Sequence, residues 1–120
     1  MDVSEHVSKI AAIPEIRTFL IKIQREVSEN LNIVMDGRDI GTVVFPHANK
    51  KFFLKASDSI RARRRYEELK KVDKDIKFSK VLENIISRDF EDTSRSTSPL
   101  KPANDAIIID TSTYNETQVF

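Results

Sequence analysis

Apolar residues recur along the chain in two rhythms. Ile16, Phe19, Leu20, Ile23 and Val27 stand three or four positions apart behind Pro14, a residue suited to the first turn of a helix. Val3, Val7, Ile10 and Ala11 keep the same spacing upstream with Ser4 as a candidate N-cap, so two helices are predicted to open the chain. Phe78, Val81, Leu82, Ile85, Ile86 and Phe90 carry the clearest helical period, and Ser57 or Asp58 can cap a strongly basic helix over 59–72. The second rhythm is a set of apolar runs too short for helices: residues 31–35, stopped by Asp36 and Gly37, residues 51–56, and residues 106–110. These are predicted as parallel strands of an α/β domain, a parallel sheet with flanking helices. A Ser/Thr/Pro-rich loop fills 93–102, and the sequence stops at Phe120 just where a covering helix would begin from Glu116, so a final helix is expected to be lacking.

Length and composition narrow the class. With 120 residues, 39% hydrophobic and 32% charged, the chain fits one domain, residues 1–120, with a well-solvated surface. There is no Cys, hence no disulfide framework, thiolate nucleophile or Cys-based zinc site. Two histidines, His6 and His47, are too few for a histidine-only metal cage; with Met35 they are read as structural, and no metal ligand is assigned. No apolar run approaches the ~18 residues that span a bilayer, and the opening lacks the plan of a signal peptide, so a cytoplasmic protein with no membrane partner is expected. Net charge is +1, but residues 50–71 hold nine basic and three acidic side chains, enough to attract the phosphates of a nucleotide or a nucleic acid.

Several stretches carry candidate chemistry. Both glycines, Gly37 and Gly41, fall in the segment Asp36-Gly37-Arg38-Asp39-Ile40-Gly41-Thr42. At the carboxyl end of a strand this segment is placed where open α/β sheets bind ligands; it is equally compatible with an ordinary turn holding an internal Arg/Asp pair. Arg61, Arg63, Arg64 and Arg65 read either as a solvated helix face or as a phosphate clamp, in which guanidinium forks pair with phosphoryl oxygens. Arg88, Asp92 and Arg95 lie at i, i+4 and i+7, one stripe of a helix, and the plain reading there is an i,i+4 ion pair worth ~0.3–0.5 kcal/mol.

Taken together, VSKIAAIPEIR, VMDGRDIGTVVFPHA, FFLKAS followed by IRARRR, RDFEDTSRSTSPLKPANDA and IIIDTS resemble the bacterial cytidylate (CMP) kinases, nucleoside monophosphate kinases of the P-loop NTPase fold. Each element alone is weak; DGRDIGTVVFP with RDxxDxxR and PLxxAxDA at these separations is specific. The resemblance implies a transferase that uses ATP and Mg²⁺ to phosphorylate CMP or dCMP. It implies Ser8, Arg17, Asp39 and Arg95 around the cytosine and Arg38 on the CMP phosphate. Arg88 and Asp92 would contact the pentose, and Arg61 and Arg64 would close over the phosphates from a lid-like region at 57–95. Arg38, Arg61 and Arg64 would be the catalytic arginines. The base chemistry agrees, because cytosine offers an amino donor beside ring-nitrogen and carbonyl acceptors and needs both Arg donors and Ser/Asp acceptors.

The chain departs from that family in having no G-x-x-x-x-G-K-[ST] loop to cradle ATP phosphates. The expectation is therefore the C-terminal part of a CMP kinase, catalytically incompetent alone, which binds CMP/dCMP and acts with ATP as a monomer when complete. The competing expectation is a non-catalytic nucleotide- or RNA-binding remnant that uses the basic 50–71 region, although a nucleic-acid partner is the less favoured. Arg17, Arg38, Asp39, Arg88, Asp92 and Arg95 are expected to converge on one cleft.

Overall fold

The computed structural model describes residues 10, 11 and 13–119. The predicted helix over Val3 to Ala11 therefore lies almost wholly outside the described residues, as do Ser4, His6 and the cytosine-site candidate Ser8; Ile10 and Ala11 are helical. Pro14 opens helix α1 (Pro14–Val27) from its first turn. A five-residue π-helical turn, Ile40–Val44, follows the Asp-Gly-Arg-Asp segment. Strand β1 is Phe52–Lys55, helix α2 Asp58–Leu69, helix α3 Phe78–Ser94, strand β2 Ile107–Asp110 and helix α4 Glu116–Val119.

Strands β1 and β2 pair in parallel, with Phe52 opposite Ile107 and Lys55 opposite Asp110. A parallel pair needs a long crossover, and α2 and α3 supply it. Ser57 begins α2 as expected: its hydroxyl accepts the Ile60 N–H at 3.4 Å. The two crossover helices pack on one another, with Tyr66 edge-on to Phe78 at 5.8 Å between ring centroids and the Arg63 guanidinium over the Phe78 ring. The deepest apolar side chains are Val44 in the π turn, Ala62 on α2 and Val81 on α3.

One predicted strand is corrected. Residues 32–36 have no assigned secondary structure, and the described sheet has two strands, β1 and β2. A strand exists only through ladder hydrogen bonds to a neighbour, and neither edge of the β1–β2 pair reaches this run. Its side chains are correspondingly bare: Leu31 is 62% exposed and Val34 fully so. The apolar stripe of α1 is also without cover, and no described residue of that helix is buried.

The π turn is held in place by its neighbours. The Asp39 carbonyl accepts the N–H groups of Thr42, Val43 and Val44, and Phe45 N–H donates to the Ile40 carbonyl at 2.7 Å. From α1, Arg25 donates through Nε to the Val44 carbonyl at 2.8 Å and through Nη2 to the Val43 carbonyl at 2.9 Å. These bonds satisfy carbonyls that the widened turn leaves free and fix Asp39 against α1. On the far side, Lys51 Nζ donates to the Pro46 carbonyl at 2.5 Å and to the Asp105 carboxylate at 2.8 Å, which ties the end of the turn to the start of β2.

Candidate functional site

The side chains that gather into one charged cluster come from four elements. Helix α1 contributes Arg17, the segment before the π turn Arg38 and Asp39, helix α2 Arg61, and the C-terminal half of α3 with its following loop Asp89, Asp92 and Arg95. Arg17 pairs with Asp39, and both side chains are about nine-tenths buried. Arg17 also donates to the Ala11 carbonyl at 3.1 Å. Asp92 is buried on α3 between two guanidiniums: Arg95 Nη1 donates to its Oδ1 at 3.1 Å, and Arg38 Nε lies 2.8 Å from its Oδ2 as an ion pair without hydrogen-bond alignment. Arg38 reaches Asp89 as well, at 3.5 Å, and Asp89 in turn pairs with Arg61, whose other carboxylate is Asp58 at 2.6 Å.

The loop after α3 is folded back to support this arrangement. Leu100 N–H donates to the Asp92 carbonyl at 2.7 Å, and Arg95 Nε donates to the Ser98 carbonyl at 2.6 Å. Ser98 sits at φ 53° and is buried, the left-handed backbone that returns the chain. Arg95 is thereby held among charges of both signs. Its pKa is lowered, first by burial and next by the Arg17 cation, with the Asp92 and Asp39 carboxylates opposing. That of Arg61 is raised, chiefly by its hydrogen bond to Asp89. Arg95 thus senses both the Arg17–Asp39 pair and Arg38, so the α1 and α3 pairs form one cluster.

The predicted site residues are distributed as follows. Arg17, Arg38, Asp39, Arg61, Asp92 and Arg95 come together. Arg88 differs from the helical-stripe reading: Asp92 is engaged by Arg38 and Arg95, and Arg88 has no ion pair within 4.0 Å among the described residues. Competition explains the difference, since Arg38 arrives from another element and places its guanidinium 2.8 Å from the carboxylate. Arg64 is apart from the cluster. It donates to Thr111 Oγ1 at 3.1 Å, to the Thr111 carbonyl at 2.6 Å and to the Tyr114 carbonyl at 3.0 Å, which pins α2 to the end of β2. Asp89 and Asp58 were not among the sequence candidates. The signal for Asp89 was present, because it lies three residues before Asp92 and so shares its helix face.

The four paired arginines (Arg17, Arg38, Arg61, Arg95) balance four aspartates (Asp39, Asp58, Asp89, Asp92), and Arg88, one turn before Asp92 on α3, adds an unpaired positive charge among the described residues. The Nε atoms of Arg17, Arg61 and Arg88 are buried without a hydrogen-bond partner. Buried polar atoms are normally satisfied, so these three mark positions where an acceptor is wanted, and Asp92 Oδ2, likewise buried without a hydrogen bond, one where a donor is wanted. Guanidinium forks offer paired N–H donors to phosphoryl oxygens, and Asp39 and Asp92 offer acceptors to an amino group. Among the described residues no three His, Cys, Asp or Glu side chains are grouped to hold a metal ion. No described helix is long and apolar enough to cross a membrane.

Comparison with known proteins gives a uniform answer. The family described as cytidylate kinase matches residues 1–120. A cytidylate kinase of Caldanaerobacter subterraneus is 53% identical over 117 residues, 98% of this chain and 52% of that protein. The cytidylate kinase of Clostridium tetani is 51% identical over 118 residues, with the same shares covered. That of Flavobacterium johnsoniae is 48% identical over all 120 residues and 52% of its own length. The chain spans about half the length of these relatives. Agreement at this level along the whole chain, through the segments that build the arginine–aspartate cluster, means that the chain belongs to the cytidylate kinase family.

Proposed function

We propose that this chain supplies the nucleoside monophosphate side of an ATP-dependent CMP/dCMP kinase, which moves the γ-phosphoryl group of ATP onto the 5′ phosphate of the nucleotide. The observation that carries this reading is the gathering of Arg17, Arg38, Arg61 and Arg95 with Asp39, Asp89 and Asp92, with the buried Nε atoms of Arg17 and Arg61, and that of Arg88 on the same helix as Asp92, lacking a partner. Arg17, Asp39 and Arg95, with Ser8, would read the cytosine edge; Arg38 would hold the phosphate; Arg88 and Asp92 would take the pentose. Arg61 and Arg64, in a lid-like region at 57–95, would neutralise charge as phosphoryl transfer proceeds. No protein base is required, because the acceptor phosphate is already anionic and catalysis is positioning with charge neutralisation.

The chain carries no Walker A sequence, and its described residues include no carboxylate cluster for Mg²⁺. Apart from Arg61 and Arg64 on the phosphoryl group in transfer, ATP and its metal are therefore assigned no contacts on this chain, and phosphoryl transfer by the chain alone is not expected. The RNA-binding alternative rests on the basic 50–71 region, where Lys51, Lys55, Arg61 and Arg65 are paired with acidic side chains and Lys50, Arg63, Arg64, Lys70 and Lys71 have no ion pair among the described residues. The deciding experiment is equilibrium binding of CMP, dCMP, UMP, AMP and cytidine to the purified chain at several salt concentrations. Cytosine-selective binding that needs the 5′ phosphate supports the proposal. Binding with a steep salt dependence and no base preference overturns it.

A further inference from the structure

Asp89 is the carboxylate that the reading above leaves without a task. It stands on α3 between two other elements, with one oxygen on Arg61 of α2 and the other 3.5 Å from Arg38 Nη1. These two arginines are the ones expected to meet phosphate from opposite sides. Asp89 engages Arg61 closely but through one nitrogen, and Arg38 only loosely. Arg61 uses a single nitrogen, Nη2, for both Asp58 and Asp89, while its buried Nε has no partner. Arg38 is anchored elsewhere by its 2.8 Å contact with Asp92, so its longer contact to Asp89 can be released without freeing the side chain. Burial separates the two carboxylates further. The Asp92 side chain is 4% exposed and holds two guanidiniums, whereas that of Asp89 is 24% exposed and can turn toward water. A phosphate dianion brings more charge and more acceptor oxygens to the same forks than a carboxylate does.

From this geometry we propose that Asp89 is a displaceable internal counter-ion: without ligand it occupies the phosphate position between Arg38 and Arg61, and it yields that position to the phosphate of the arriving nucleotide. Asp89 is a positioning residue in this account and touches no reacting atom. While it is in place it tethers α2 to α3; once displaced, α2 is tethered through Arg61 to the ligand instead. The inference rests on the proposed nucleotide site but makes a separate demand of it. A carboxylate that merely supports the arginines strengthens anion binding, whereas one that occupies them weakens it.

The test is calorimetric titration of the chain and of its Asp89→Asn and Asp89→Glu variants with pyrophosphate, CMP and cytidine at fixed ionic strength. Asp89→Asn is expected to bind pyrophosphate and CMP about tenfold more tightly, as a competing anion is removed from two charge-assisted donors, and cytidine unchanged. Asp89→Glu is expected to stay near the parent. Unchanged or weaker anion binding by folded Asp89→Asn, or no anion binding by any of the three proteins, overturns the proposal. Should Asp89→Asn fail to fold, the parent chain decides by NMR: saturating pyrophosphate should move the Asp89 carboxyl carbon more than that of Asp92, and the opposite order or no movement overturns it. A gain in anion affinity without preference for CMP over UMP and AMP would remove the cytidylate reading and leave the counter-ion standing. Cytosine selectivity without the gain would do the reverse.

Discussion

Removing the Asp92 carboxylate leaves two guanidiniums, Arg38 and Arg95, close together with no charge between them. Breaking a buried pair from one side costs about 3–5 kcal/mol, because the surviving charge is stranded away from water. Asp92→Ala is therefore expected to cost at least about 3 kcal/mol, visible as a loss of helical circular dichroism at room temperature. Arg88 behaves in the opposite sense. Its buried Nε is unsatisfied and the side chain has no ion pair within 4.0 Å among the described residues, so the folded chain gains little from it. Arg88→Met is expected to leave the thermal midpoint unchanged or slightly higher while weakening CMP binding at least about tenfold, the pattern of a group kept for its ligand. An Arg88→Met chain that loses stability and keeps its CMP affinity would assign Arg88 to structure instead.

At the scale of elements, the cap of α2 and the tie between the π turn and β2 are the joints that set the site's shape. Ser57 accepts from Ile60 N–H at a long 3.4 Å, so Ser57→Ala is expected to cost about 0.5 kcal/mol, at the low end for an N-cap, in urea unfolding. Lys51 and Asp105 join the turn to the start of β2, and the Lys51 hydrogen bond is the main reason the Asp105 pKa lies below the ordinary carboxylate range. A carboxylate whose pKa is depressed on folding adds stability above its unfolded value of about 3.9 and loses it as pH falls through the folded value. Asp105→Asn should therefore lower the midpoint more at neutral pH than in strong acid, the two curves converging as pH falls through the folded value. Equal separation of the curves at both pH values would mean that the ion pair contributes nothing.

The whole molecule is open for its size. Its accessible surface is 9382 Å², against about 6600 Å² for a compact monomer of this mass, and its radius of gyration is 15.8 Å, against about 13.6 Å. Phe52 and Leu54 on β1, Ile107 and Ile108 on β2, and Phe19 and Val27 on α1 are all at least half exposed. Apolar surface of this extent, with unpaired strand edges, favours association, so the purified chain is expected to aggregate at concentrations where a complete relative does not. Turnover is the corresponding functional test. A coupled assay for ADP with CMP and MgATP should show none above background for this chain alone. It should show activity after addition of the N-terminal half of a relative such as the Clostridium tetani protein. Robust turnover by the chain alone would overturn both the assignment of ATP to other residues and the proposed incompetence.

Local patterning determined much of this protein. The 3.6-residue rhythm behind Pro14 and from Phe78 marked α1 and α3, Ser57 marked the start of α2, and the FFLK and IIID runs marked the parallel pair, because period, capping and β-branching act over a few residues. The candidate arginines and aspartates were legible for the same reason, as residue types at helical and turn spacings. What local patterning leaves undetermined is which partner wins when several compete. Residues 31–35 carry strand-like side chains but no ladder, since a strand requires a neighbour at the right height and none is within reach. Asp92 could bond Arg88 one turn away and instead holds Arg38, which is distant in sequence and close in space. Arg64 faces the end of β2, and Asp89 bridges α2 to the Asp-Gly-Arg-Asp segment, only because the crossover folds those elements together. Each of these outcomes is a choice among long-range contacts, and such choices are made by the packing of the elements.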